Sequence, residues 1–143
     1  MTLIRFSLLA WCLVCLPLDA QTQAGGAESV FRNQLVDLHA KAISILEKTE
    51  KAPREVPRQQ TFDEVFALIR LVHRLDEEVS AANLQVLKRG QPSSKGLPMI
   101  QQAAKAIDST LIALNSYLET EDRAFIGFAR DSNALASAVR KVM

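Results

Sequence analysis

Two histidines, His39 and His73, are the residues of this sequence whose type best suits chemistry. Each follows an apolar position of a helical repeat by one residue, so each is expected on the flank of its helix, with a ring nitrogen in water. If the two helices are neighbours in a bundle, the rings can approach each other and form a bis-histidine haem or metal site. Two histidines alone bind a transition metal weakly, and no carboxylate pattern completes the site. We therefore predict packing roles for both, with a haem or small-ligand site as the alternative.

The motifs of common enzyme classes are missing from the sequence. It contains no E-x-x-H pair of a di-iron bundle, no C-x-x-C-H haem attachment motif, and no H-E-x-x-H, G-x-S-x-G, G-x-G-x-x-G or P-loop. Two acidic clusters, Asp76–Glu78 and Glu119–Asp122, are interspersed with predicted core positions, which indicates solvated helix faces rather than acid–base pairs. The sequence thus predicts a non-enzymatic protein with no catalytic residue, no metal site and no cofactor.

The first twenty residues have the composition of a secretory signal peptide. Arg5 precedes an apolar run, Phe6–Leu18, and Ala20 offers the small residue that signal peptidase requires. The run is short for a membrane span, and an uncleaved anchor is the alternative. Both cysteines of the chain lie in this segment. The remaining domain, residues 21–143, is therefore expected to be exported to the periplasm or the cell exterior, without a disulfide or a thiolate site.

The charge of the chain bears on its partners. The formal net charge is +1, and basic and acidic residues are evenly mixed. A balanced surface argues against nucleic acid or an anionic membrane as the main partner. After cleavage, no apolar stretch long enough to remain in a membrane is expected. The length suits a single domain.

The strongest helical pattern spans residues 61–89. Apolar residues recur from Val65 to Val86 at alternating spacings of three and four, which predicts a helix with a continuous buried stripe. Thr61 and Glu64 match the T-x-x-E capping box, and Gly90 suits a left-handed helix end. Similar repeats predict helices over about 27–51 and 98–119, with proline-containing connections between them.

The chain beyond residue 119 permits two interpretations. A seven-residue apolar phase continues through Phe125, Phe128, Leu135, Val139 and Val142. A single helix from residue 98 onward would extend past the earlier helices, so we expect the chain to turn near Leu118–Arg123, with Thr120 as N-cap, and to form a fourth helix over 121–142. The fold class is then all-α, a single antiparallel four-helix bundle. The alternative is three helices with a long continuous C-terminal helix, whose overhanging stripe would drive homodimer formation.

Alanines crowd the last two helices, and small side chains permit either tight packing in the bundle or a shallow face for a partner helix. The best partner-binding candidates are Phe125, Ile126, Phe128 and Ala129, because Ile126 lies opposite the stripe that the two phenylalanines define. We predict a protein-interaction module, such as an adaptor, a chaperone-like binder or an inhibitor, whose partner is another exported protein. The alternative function is a small-ligand or haem-binding bundle.

Overall fold

Four helices make up the computed structural model, which describes residues 18–92 and 94–143, with side-chain environments from residue 25 onward. The helices are α1 (Leu18–Lys51), α2 (Arg58–Lys88), α3 (Gly96–Thr120) and α4 (Ala124–Val142), and the described residues contain no strand. The prediction of an all-α four-helix bundle is confirmed. The alternative of a continuous C-terminal helix is wrong, because residues 121–123 interrupt the helix and reverse the chain.

The helices run antiparallel to their neighbours along the chain. α3 contacts each of the other three helices, and α1 also contacts α2 and α4, so α2 and α4 occupy opposite corners. Two contacts show that α1 and α4 are also antiparallel. His39 of α1 contacts Arg140 of α4, whereas Glu50, nearer the C-terminal end of α1, contacts Arg130, nearer the N-terminal end of α4. The short connection between α1 and α2, residues 52–57, likewise makes those helices antiparallel neighbours.

The apolar repeats identified in the sequence form the core on three of the four helices. Each buried aliphatic side chain contributes about 1.5–3 kcal/mol relative to an exposed one. The buried positions are Leu35, Leu38, Ala42 and Ile45 of α1, Val65, Leu68, Val72, Leu75 and Val79 of α2, and Ile100, Ala104, Ile107, Leu111, Leu114 and Leu118 of α3. The predicted stripes of α1, α2 and α3 are therefore confirmed over most of their length.

The start of α1 differs from the prediction. The helix begins at Leu18 rather than near Ala27 and continues through Gly25 and Gly26. Glycine in a helix interior costs about 1 kcal/mol relative to alanine, which weakens a helix without ending it. The predicted cleavage point after Ala20 falls in the first turn of α1, and the rest of the predicted signal peptide, residues 1–17, lies outside the described residues.

The predicted capping box at the start of α2 is wrong. The helix begins at Arg58, with Pro57 at the N-cap, so Thr61 already lies inside the first turn. The Thr61 hydroxyl donates to the Pro57 carbonyl oxygen at 2.9 Å, and Glu64 accepts from the Gln60 side chain instead of reaching back to the cap. A proline suits this end of a helix because the missing N–H has no intrahelical partner there. At the other end, Gly90 has φ 65°, as predicted.

The turn between α3 and α4 lies where the sequence predicted it, but Thr120 is not the N-cap of α4. Thr120 is the last residue of α3, and its hydroxyl accepts from the backbone N–H of Asp122 at 3.2 Å. Asp122 in turn accepts from the backbone N–H of Ala124 at 2.9 Å. The acceptor for the start of α4 is therefore Asp122, and Glu121 makes the reversal with a left-handed backbone, φ 61°.

Two side-chain contacts tie the connections to the bundle. The hydroxyl of Tyr117, a buried residue of α3, donates to the carbonyl oxygen of Pro53 in the α1–α2 connection at 3.4 Å. At the opposite end, Glu28 of α1 accepts from the Ser94 hydroxyl at 2.5 Å. Its carboxylate occupies the space that a Cβ at Gly96 would need, so a larger residue at the first position of α3 would displace the end of the Glu28 side chain.

Candidate functional site

His39 lies inside the bundle rather than on a helix flank. Its side chain is 1% exposed, and both ring nitrogens have partners on α4. Nε2 lies 2.8 Å from Oδ1 of Asn133, and Nδ1 lies 2.7 Å from Nη1 of Arg140. A guanidinium only donates, so Nδ1 must accept, and the ring proton resides on Nε2 and is donated to Asn133. His39 is therefore held as a neutral tautomer that connects α1 to α4.

The surroundings of His39 disfavour its protonation. Burial lowers its pKa below the ordinary value of 6.5, and the positive charge of Arg140 lowers the pKa further, against an opposing effect of the Asn133 hydrogen bond. Protonation would also replace the acceptor at Nδ1 with a second donor facing the guanidinium. The cluster of His39, Asn133 and Arg140 thus suits a structural link between two helices rather than proton transfer.

His73 has the flank position that the sequence predicted. The side chain is 59% exposed, and Nε2 lies 3.0 Å from Oδ1 of Asp108 on α3. The contact has ion-pair distance, but Oδ1 of Asp108 has no partner in hydrogen-bonding geometry, His73 included. An exposed pair of this kind contributes at most about 1 kcal/mol.

The two histidines belong to different interfaces of the bundle. His39 faces α4, whereas His73 faces α3, so they do not form the bis-histidine pair considered from the sequence. Across the residues that the structure describes, no group of three or more His, Cys, Asp or Glu side chains has the arrangement of a metal site. Ligation by His39 would further require one of its two existing hydrogen bonds to break.

Most side chains of the two acidic clusters are exposed to solvent. Glu77 is exposed, and Glu78 pairs with Arg74 one helical turn earlier at 2.9 Å, as expected for a surface pair worth a few tenths of a kcal/mol. Asp76 is half-buried. In the second cluster, Glu121 pairs with Arg58 at 2.6 Å at the exposed turn.

The predicted inner face of α4 is wrong for Phe128, Leu135 and Val142, which are exposed, and confirmed for Val139, which is buried. The seven-residue phase placed Phe125, Phe128, Leu135, Val139 and Val142 toward the core. In the structure, the buried residues of α4 are Ile126, Ala129, Ala136 and Val139, whereas Phe125 is half-buried. The phase fails because the turn at residues 121–123 rotates α4 relative to α3. Alanines at the buried positions of both helices, including Ala106 and Ala113 of α3, permit close approach.

This rotation divides the four predicted partner-binding residues between two faces. Ile126 and Ala129 pack into the bundle, and Phe125 rests partly on the core, with its ring centroid 6.2 Å from that of Phe128. Of the four, Phe128 is the one left exposed.

Phe128 begins an exposed apolar row that we call the α4 stripe, composed of Phe128, Leu135 and Val142. Their exposed fractions are 59%, 52% and 72%. A spacing of seven residues keeps the three side chains on one line of the helix surface. Exposed alanines accompany them, at Ala124, Ala134 and Ala138. The seven-residue phase had assigned all three large residues to the core. Only Phe128 was also a predicted partner-binding residue, so Leu135 and Val142 were missed as parts of this surface.

Comparison with known proteins does not place the chain in a family: no family model, no curated protein and no solved structure matches it. None of the four helices, over the part of the chain that is described, is both long and apolar enough to cross a membrane.

Proposed function

We propose that the protein is an exported, non-enzymatic interaction module that binds a helix of another exported protein along the α4 stripe. The observation that carries the proposal is the exposure of Phe128, Leu135 and Val142 on a helix whose opposite face is already packed. Large apolar side chains in a row on a soluble surface are characteristic of interaction sites. Export is inferred from the composition of residues 1–20.

The shape of the α4 stripe favours a helix as the occupant. Its seven-residue spacing matches the repeat with which one helix packs along another. Ala124, Ala134 and Ala138 are exposed beside the large residues and leave room for the larger side chains of a partner. Asp131 is exposed between Phe128 and Leu135 on the same face, so a complementary helix should carry Lys or Arg at that level.

Cross-linking in cells that export the protein tests this proposal. A photoreactive amino acid at Phe128 or Leu135 should give one defined adduct with another protein. The same group at Gln102, an exposed polar position of α3, should give none. Leu135→Asp should abolish the adduct formed from position 128 while leaving the helical circular dichroism unchanged, because Leu135 is half-exposed. Equal cross-linking from position 102, or an adduct that survives Leu135→Asp, would contradict the proposal.

The haem or small-ligand alternative receives no support from the geometry. His39 has both nitrogens engaged with α4, and His73 faces α3. An absorption band in the Soret region after addition of haem to the purified protein, lost in His39→Ala or His73→Ala, would favour this alternative.

A further inference from the structure

A long groove runs between α1 and α2 and is separate from the α4 stripe. Three adjoining cavities form it, with volumes of about 390, 320 and 370 Å³. The first two share Ile45, Lys48 and Glu64, and the last two share Leu71, so the depression is continuous. The floor is apolar: it consists of buried side chains of both helices, Leu38, Ile45, Leu68 and Leu75.

The size of this face reaches the lower limit expected of a specific protein interface. The groove extends from Gln34 of α1 to Ala52, the residue after the end of that helix, which is about 27 Å at 1.5 Å per residue. Two helices of about 10 Å diameter side by side give a face of roughly 540 Å². Two such faces together bury about 1,100 Å², which passes the value of about 1,000 Å² expected of a specific interface.

The two walls of the groove are formed by α1 and α2, and at both ends of the groove they carry charged residues of opposite sign. At one end, Lys48 of α1 and Glu64 of α2 line the same cavities; at the other end, Asp37 of α1 and Arg74 of α2 line the same cavity. At these two heights, therefore, the facing residues have opposite signs, whereas Lys41 and the Arg74-bound Glu78 also line the groove. Within the described residues neither pair closes into an ion pair across the groove: Arg74 binds Glu78 of its own helix, and Glu64 accepts from a glutamine.

A two-fold axis parallel to the helices makes the charges of one protomer complementary to those of a second copy. Such a rotation places α1 of one protomer opposite α2 of the other and leaves every residue at its own height. Lys48 then faces Glu64 of the partner subunit, and Asp37 faces Arg74 of the partner subunit, with each contact made twice. An axis perpendicular to the helices would instead place α1 against α1 and pair Lys48 with Asp37 of the partner subunit, so the charge-exchange experiment must distinguish the two arrangements.

We propose that the protein forms a two-fold homodimer through the α1–α2 groove, with the two-fold axis parallel to the helices. Leu71, which is 45% exposed midway along the groove, is then covered by α1 of the other protomer. Ser44 lines the same cavity and is small enough to leave space for that side chain. The dimer leaves the α4 stripe, which lies on another helix, accessible to a different protein.

Sedimentation of the purified chain over a range of concentrations tests the dimer. We expect a concentration-dependent dimer whose dissociation constant rises at least tenfold in Leu71→Asp. Phe128→Asp, on the α4 stripe, is the matched control and should leave the dimer unchanged. A wild-type monomer at all concentrations overturns the proposal, and so does a dimer that is insensitive to Leu71→Asp. A monomer that binds an added amphipathic peptide in the groove also overturns it.

A charge-exchange experiment tests the symmetry and does not depend on the core. Lys48→Glu and Glu64→Lys are exposed changes, so both variants should fold. Each alone should be monomeric, because like charges then meet twice across the interface. An equimolar mixture of the two variants should form heterodimers, since every contact again joins opposite charges. A mixture that remains monomeric while the wild type dimerises would refute the arrangement of walls proposed here.

Discussion

The guanidinium of Arg58, at the first position of α2, holds Glu121, the left-handed residue that joins α3 to α4, at 2.6 Å. The same side chain donates to the carbonyl oxygens of Leu118 and Glu119, at 2.6 and 3.2 Å. Carbonyl groups in the last turn of a helix lack intrahelical donors, and a cation there also interacts favourably with the negative end of the helix dipole. The first residue of α2 thus caps the C-terminal end of α3.

Replacement of Glu121 should show how much strain this turn holds. A left-handed residue other than glycine costs about 1–2 kcal/mol. We expect Glu121→Gly to be about 0.5–1 kcal/mol more stable than Glu121→Gln, which loses the exposed ion pair but keeps the strain. Chemical denaturation of both variants measures the difference. A glycine variant less stable than the glutamine variant would show that the backbone of Glu121 is unstrained.

The buried stripe of α2 is tested by Leu75→Ala and Glu78→Ala. Leu75 is 2% exposed, and its truncation should lower the free energy of unfolding by about 2–5 kcal/mol. Glu78 contributes one exposed pair with Arg74, and its truncation should cost less than about 0.5 kcal/mol. Thermal and chemical unfolding of the two variants provide the measurement. Similar losses in both would contradict the assignment of the stripe.

The rotation of α4 is tested by the neighbouring residues Ile126 and Phe128. Ile126 is buried, so Ile126→Ala should destabilise the protein by about 2–4 kcal/mol. Phe128 is exposed, and Phe128→Ala should change stability by about 0.5 kcal/mol or less. The seven-residue phase of the sequence requires the reverse order, so chemical denaturation decides between the two faces.

The stability of the protein should fall in mild acid because of His39. Its pKa in the folded state is lowered, first by burial, so the unfolded chain takes up the proton before the folded one does. The free energy of unfolding contributed by this group is complete above pH 6.5 and decreases as the pH falls from 6.5 toward the folded pKa. Denaturation curves recorded between pH 8 and 5 should show this loss. The loss of unfolding free energy between pH 8 and 5 should be smaller in His39→Gln and unchanged in His73→Gln.

The extent to which the sequence predicted the fold depends on how many apolar stripes each helix carries. In α2 and α3 only one stripe has a regular apolar repeat, so the buried positions followed from spacing alone. In α4 two stripes compete, and the one with larger side chains was chosen. The stripe with smaller side chains, which includes Ala129 and Ala136, is the one buried in the core, because two alanine-bearing helices can approach each other closely.

The surroundings of the candidate site were harder to predict than its residues. His39 was identified from the sequence, but its partners were not. Asn133 and Arg140 lie seven residues apart on α4, and they can be recognised as partners only when the rotation of α4 is known. The charge order of the α1–α2 groove similarly depends on the relative height of two helices. That height is set by the connection at residues 52–57, which has no periodic pattern.

The contact between Tyr117 and Pro53 gives the molecule an internal optical probe. Tyr117 is its single tyrosine, and the single tryptophan, Trp11, belongs to the segment predicted to be removed on export. Ultraviolet emission of the exported form would then come almost entirely from one ring, buried beside the connection that closes the α1–α2 groove. Because a phenol that gains or loses a hydrogen bond changes its emission intensity, movement of this connection can be followed in the unlabelled protein, in real time and at low concentration.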